Sequence, residues 1–401
     1  MALIVTAMSF ALRGEAMGPW THEFSLNNEQ VGWITGTAFW GFTLAMMVGG
    51  PLVDWMGLGR LTVFAFLGHA AGIVLTICAW DFWSLYLGTL LFGISNGSVE
   101  AVCNPMIASL YPNDKTTKLN HFHVWFPGGI VIGGLVAFAL SKMGLSWRIQ
   151  FGSMLIPLAI YGFMFFGQKF PRTERVESGV STGQMWMACL NPLFILMVIC
   201  MLMTAASELG PNQWIPTILQ NAGVSGILVL VWINGLMAVG RQFAGTFVHR
   251  LSPPGMLVAS AILTTLGLFA MSKASGAMLF GAATIFALGV CFFWPTMLGT
   301  VNERFPKTGA LGLAIMGGAG MLSVSFVLPI MGHLYDQGIA TRLGGADAVA
   351  ALGADIPMQV QASAGLQTIG SVAILPLILT VIFIALYVVW RKKPAASITA
   401  A

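Results

Sequence analysis

The sequence predicts an all-α membrane protein of twelve transmembrane helices, arranged as two parallel six-helix halves. Three observations carry this. Of 401 residues, 57% are hydrophobic and only 8% charged, with a mean hydropathy of +0.84; a soluble protein carries about 25% charged residues. Apolar runs of span length recur twelve times along the chain. Sequence elements of the first half also return in the second, two of them at the same distance of 195 positions.

The spans follow in order. The first runs over residues 1–24, through Arg13 and Glu15, because a signal peptide would place its basic residue ahead of the apolar run. The second, 29–53, follows Ser25, Asn27 and Asn28, a cap-like cluster. The next four cover 61–79, 82–110, 119–142 and 147–169. The seventh, 186–219, holds Pro211 and Pro216, which suggest a broken helix of the kind tolerated where backbone lines a cavity. The remaining five lie at 225–248, 255–272, 275–300, 308–335 and 367–390. Pro112, Pro171, Pro306 and the pair Pro253 and Pro254 punctuate loop ends. Residues 336–366, rich in Ala and Gly, read as the longest loop. The five cysteines, Cys78, Cys103, Cys189, Cys200 and Cys291, lie in apolar runs without a CxxC, so buried thiols are expected rather than disulfides or a zinc site.

Lysine and arginine set the topology. With both termini in the cytoplasm, the inner loops and tail hold Arg60, Lys115, Lys118, Lys169, Arg172, Arg175, Arg250, Arg304, Lys307, Arg391, Lys392 and Lys393. The outer loops hold Lys142, Arg148, Lys273 and Arg342. That bias sets the orientation, with both ends inside, and the expected location is a bacterial inner membrane. The net charge of +4 reflects this asymmetry and not nucleic-acid binding.

The halves repeat. Gly50 and Asp54 at the end of the second span are matched, 195 positions on, by Gly245 and His249 at the end of the eighth. Tyr111-Pro112 is echoed by Phe305-Pro306, and Gly128-Gly129 by Gly317-Gly318. The expected organisation is a first half over 1–169, a cytoplasmic central loop over 170–185, a second half over 186–391 and a cytoplasmic tail over 392–401. Such repeats bind solute between the halves, near the bilayer midplane.

Gly50-x-x-x-Asp54-x-x-Gly57-x-x-Arg60 resembles the loop signature of the major facilitator superfamily, and with the span count the resemblance covers the whole chain. A more specific stretch is Glu100-Ala-Val-Cys-Asn104-Pro105, followed by Leu119-Asn120-x-x-His123-x-Trp125 and Gly129. It resembles the fucose/galactose/glucose proton-symporter group, the fucose permease-like members. Asn27-Asn28 and Gly240-Arg241-x-x-x-Gly245 also fit. The resemblance implies proton-coupled import of a sugar, with Glu100 in the place of the group's span-four carboxylate. The chain departs from the group in having His123 where a Gln is usual and Phe126 where an Asn is usual. The group's span-one Asp has no equivalent, and Glu15 is the nearest carboxylate.

The residues themselves give a candidate set. Asn96, Glu100 and Asn104 are spaced i, i+4, i+8 and share one helix face. A carboxylate at the centre of a span costs about 2.5–3.5 kcal/mol, which marks Glu100 for function, or for a structural pairing with Arg13 or a histidine. Asn120 and His123 lie on one side of the fifth span, and histidine both titrates near neutrality and donates to hydroxyls. In the seventh span, Thr204, Glu208 and Asn212 share a face, followed by Gln213 and Trp214; amides, a carboxylate and an indole suit a sugar ring. Trp294 is a further stacking candidate. Arg13 and Arg241 are candidate anion contacts, Arg241 alternatively a cap for carbonyls or half of an inter-helix ion pair. Asp54 and Arg60 read as a gate.

These features point to a secondary transporter importing a small polar solute, a monosaccharide or derivative, with protons and as a monomer in the bilayer. The alternative is a carrier of organic anions (sugar acid, carboxylate or phosphate) using Arg13 and Arg241. An enzyme or sensor is disfavoured, because the sequence holds no nucleophile–base pair, metal-ligand spacing or soluble signalling domain. No cofactor is expected.

Overall fold

The computed structural model describes residues 1–26, 28–177, 179–221, 226–352 and 356–390. Asn27 of the cap-like cluster, the three basic residues 391–393 and the 392–401 tail lie outside the described residues, as do the side chains of Asn28, Arg175, Pro216 and His249.

The chain begins with α1 (Ala2–Glu23). α2 (Asn28–Met56) and α3 (Leu58–Ile77) are parted by Gly57, whose φ of 87° is a conformation only glycine adopts freely. α4 (Phe82–Leu110) starts at a capping box, in which the Ser84 N–H donates to Asp81 Oδ1 at 2.8 Å and Ser84 Oγ accepts from the Asp81 N–H at 3.0 Å. The Ser84 hydroxyl, which donates to Asp81 Oδ1 at 2.5 Å, and then the Ser84 N–H hold the Asp81 carboxyl below the usual carboxylate range. Next come α5 (Lys115–His123), α6 (Trp125–Lys142), α7 (Trp147–Gly152), α8 (Leu155–Phe165), the single turn α9 (Glu174–Glu177) and α10 (Thr182–Cys189). Then come α11 (Pro192–Asn221), α12 (Gly226–Gln242), α13 (Ala244–Met271, interrupted at Ser252), α14 (Met278–Val290) and α15 (Phe293–Arg304). The series ends with α16 (Gly309–Leu343), α17 (Ala346–Leu352), α18 (Met358–Ser371) and α19 (Ile374–Trp390).

Among the described residues, nine helical stretches are long and apolar enough to cross a membrane. α1 and α4, whose polar side chains dilute their hydropathy, and the shorter apolar α12 bring the number to the expected twelve. The fold is all-α, and the chain is a multi-pass membrane protein.

Several spans are cut into two helices. The carbonyls of His123, Ser153, Cys291 and Val372 sit at four of these cuts, and each faces a proline four residues on: Pro127, Pro157, Pro295 and Pro376. Proline has no N–H to return to that carbonyl, so the ladder opens there. The cut at Phe243 has no such proline. The expected break in the seventh span does not occur. α11 runs continuously through Pro211, because one missing bond in a buried helix is tolerated when the turns on either side stay paired. Its start is also later than expected: α10 is a separate helix, and Asn191 Oδ1 accepts from the Leu193 N–H at 2.9 Å to begin α11. The segment 336–366 is not a long loop. α16 extends to Leu343, α17 follows, and α18 begins at Met358; alanine favours helix where no packing opposes it. Asp355, placed in that loop, lies outside the described residues. Four of the cysteines are buried, but Cys78, at the end of α3, is exposed.

The chain gathers into two compact units. The first holds Met1–Ile199 and Pro295–Leu322, the second Cys200–Trp294 and the described residues from Ser323 onward. In the first unit, α2 and α3 pack on α4, and α1 on α6. The α2–α4 approach is close because Gly93 lies against the Thr37 carbonyl and Gly97 against that of Phe42, leaving no room for a side chain. Gly129 and Gly133 do the same for α6 against Ile4 and Met8 of α1. Trp20, fully buried, packs on Trp147 and Phe151 with centroids 5.8 and 5.6 Å away. In the second unit, α13 packs on α14 and α19. The repeat reaches into this packing: Gly72 of α3 meets Phe92 of α4, and Gly267 of α13, 195 positions on, meets Phe286 of α14, 194 positions after Phe92.

Candidate functional site

The first unit contains two buried polar clusters along α4. At the first, Asn96 donates from Nδ2 to Ser9 Oγ of α1 at 3.2 Å, which turns its Oδ1 toward His69 Nε2 of α3 at 2.9 Å. An amide oxygen only accepts, so His69 carries its proton on Nε2 and its Nδ1 accepts from the Tyr161 hydroxyl of α8 at 3.0 Å. The chain Ser9–Asn96–His69–Tyr161 ties four helices together, and Asn96 and His69 are fully buried. The spacing pairs Asn96 with Glu100 on one face; the hydrogen bonds assign it to this separate cluster.

The second cluster begins one turn further along α4. Glu100, 1% exposed, accepts from Asn104 Nδ2 at 3.2 Å. The Asn104 oxygen faces His123 Nε2 of α5 at 3.0 Å, so that nitrogen donates. A carboxylate, an amide and an imidazole thus form one relay. It is placed by the α4 face and by the end of α5, where Pro127 interrupts the span. His121 is only half-buried.

Asn120 lies one turn before His123. Its Nδ2 donates to the Thr116 carbonyl at 2.9 Å and to Thr296 Oγ1 of α15 at 3.3 Å, while its buried Oδ1 has no partner. Thr116 Oγ1 donates to Glu303 at 2.6 Å. Thr116 and Glu303 were not among the sequence candidates. Glu303 sits beside Arg304 at a helix end, where a charge ordinarily needs no explanation.

The other first-unit candidates are placed apart. Glu15 is exposed on α1 and joins neither cluster. Arg13 is buried on α1. Asp54 accepts a hydrogen bond from Thr173, whereas Arg60 is exposed and forms no ion pair with Asp54.

In the second unit, Glu208 of α11 and Arg241 of α12 form an ion pair at 3.2 Å. Arg241 Nε donates to the Cys291 carbonyl at 2.6 Å, the carbonyl that Pro295 leaves without its helical donor. Glu208 Oε2, Asn212 Oδ1 and Trp294 Nε1 are buried without hydrogen-bond partners among the described residues. They supply two acceptors and a donor, the complement of a hydroxylated solute. Gln213 is exposed, and Trp214, half-buried, lies 5.8 Å from the Tyr335 ring.

The family model for the Major Facilitator Superfamily matches residues 1–308. The chain belongs to the major facilitator superfamily. Members of the superfamily with which it aligns are transporters and not enzymes. A D-xylose transporter of Levilactobacillus brevis is 25% identical over 39% of this chain, which spans 35% of that protein's length. A 3-(3-hydroxy-phenyl)propionate transporter of Escherichia coli is 25% identical over 72% of this chain and 74% of the relative. A hexuronate transporter of Bacillus subtilis is 24% identical over 72% and 75%. Among solved structures, the proton:xylose symporter XylE superposes with a TM-score of 0.76 at 14% identity, over 99% of this chain and 94% of that one. The fucose transporter FucP in its outward conformation gives 0.67 at 15% identity, over 94% and 98%. The major facilitator fold places these chains together.

Proposed function

We propose that this transporter imports a small polar solute, a monosaccharide or sugar derivative, together with protons by alternating access. One observation carries the reading: a carboxylate, Glu100, is buried to 1% exposure on α4 and joined through Asn104 to His123. A carboxylate in that setting is costly unless it is used. In this reading Glu100 takes a proton when the site is open to the outside and releases it to the cytoplasm after the halves, 1–169 and 186–391, have rocked. Asn104 and His123 hold the carboxyl in place. Asn120, Glu208, Asn212 and Trp294 contact solute, and Asp54 and Arg60 act at the inner gate. The protein works as a monomer in a bacterial inner membrane, its termini cytoplasmic. Linkage requires that protonation alter solute affinity, and the reverse. The sugar transporters among its relatives support the solute class.

The test is Glu100→Gln in membrane vesicles. Coupling through Glu100 predicts loss of uphill, pH-driven uptake with solute exchange retained. Unchanged concentrative uptake removes Glu100 from the mechanism.

A further inference from the structure

Two arginines are buried in the spans, and they are treated oppositely. Arg241 has Glu208 at 3.2 Å. Arg13, 5% exposed on α1, forms no ion pair among the described residues. Its Nη1 donates to the Thr35 carbonyl of α2 at 3.3 Å, its Cζ lies 5.7 Å from the Phe10 ring centre, and its Nε has no partner. A guanidinium buried without a counter-charge is strongly unfavourable by itself. A weak bond to one carbonyl and one aromatic face does not offset that.

The surroundings suit a ligand that supplies the missing charge. Phe10 packs on Phe39 of α2 and Phe126 of α6, with centroids 5.9 and 5.6 Å away. Phe126 stands where the sugar-symporter resemblance expects an Asn, so an apolar ring replaces an amide there.

We propose that Arg13 is a carboxylate-binding residue and that the transported solute is a small organic monoanion, its carboxylate on the Arg13 fork and the apolar face of its ring on Phe10 and Phe126. The planar guanidinium matches a carboxylate with two parallel N–H···O bonds, which a lysine cannot reproduce. Arg241 takes no part, because Glu208 already meets its charge. This rests on the reading of the chain as a solute importer and narrows the solute to one that carries a carboxylate.

The experiment is thermal unfolding of the purified full chain with D-glucuronate, 3-phenylpropionate or D-glucose at millimolar concentration. A ligand that binds the folded state raises the midpoint. At least one of the two carboxylates is expected to raise it, and which one does so separates a sugar acid from an aryl acid. In Arg13→Gln that shift is expected to vanish, while the unliganded midpoint stays level with wild type or rises. In Arg13→Lys the dissociation constant for the same carboxylate is expected to weaken at least about tenfold, a loss of about 1.4 kcal/mol. That variant decides the matter if Arg13→Gln does not fold. Failure of both carboxylates to bind wild type, or an undiminished carboxylate response in either variant, overturns the proposal. A response to glucose alone, equal in wild type and Arg13→Gln, also overturns it but leaves proton-coupled sugar import standing.

Discussion

Arg241 and Glu208 cancel each other's charge inside the second unit, with Nη2 and Oε1 3.2 Å apart and side chains 1% and 4% exposed. The same guanidinium also caps the Cys291 carbonyl, at 2.6 Å, where Pro295 opens the span. One side chain thus neutralises a buried carboxylate and closes a backbone defect.

Replacing it strands both partners. Arg241→Gln is expected to lower stability by about 3–5 kcal/mol, the usual cost of leaving half of a buried pair alone. Glu208→Gln should cost a comparable amount, because it leaves the guanidinium buried without its counter-charge. The double variant should be more stable than the sum of the two losses predicts. Thermal unfolding of the four proteins measures this, and additive losses would contradict the pairing.

How legible this was in the sequence depends on the scale. The twelve spans were legible because bilayer length and apolarity are written residue by residue, and the expected fourth span, 82–110, matches α4 from Phe82 to Leu110. The cuts within spans were written too, but in a form not read as such. A proline four residues after His123, Ser153, Cys291 and Val372 removes the donor for each of those carbonyls. Pro211 shows why the rule cannot be run forwards, since α11 continues through it. The site was legible in part. Glu100, Asn104 and His123 announced themselves as polar groups in apolar runs, and helical spacing put the first two on one face. Asn96 had the same spacing, but its partner was decided by His69 and Ser9, which come from helices whose packing on α4 no local pattern fixes. Glu303 looked like an ordinary helix-end charge until α15 was found packed near Thr116.

That last contact gives a second prediction. A Cβ on Gly299 of α15 would lie 2.7 Å from Thr116 Cα. Gly299→Val is therefore expected to push α5 and α15 apart, break the Thr116–Glu303 hydrogen bond and cost about 1–3 kcal/mol by overpacking. Thr116→Ala removes the donor to the same carboxylate and should cost about 1.5–3 kcal/mol, the range for a bond to a charged group. Because both changes act on one contact, the double variant should lose less than the sum. Unfolding midpoints give the energies, and faster hydrogen exchange in the first turns of α5 would locate the effect. Full additivity would mean that Gly299 and Thr116 act separately.

His123 separates positioning from proton transfer. Its Nε2 donates to Asn104 Oδ1 at 3.0 Å, and Asn104 Nδ2 in turn donates to Glu100 at 3.2 Å. If Glu100 carries the proton, His123 matters for the bond it donates and not for its own titration. His123→Gln restores an N–H donor without a titratable ring, and it places at this position the residue that the sugar-symporter resemblance expects. That variant should keep pH-driven uphill uptake. His123→Leu removes the donor to the Asn104 oxygen and should cost about 1–3 kcal/mol of stability, with a matching loss of uptake as the amide that holds Glu100 is freed to turn. Uptake driven by a pH gradient in vesicles, with unfolding midpoints on the same proteins, distinguishes the cases. Loss of uphill uptake in His123→Gln at unchanged stability would move the proton from Glu100 to the histidine.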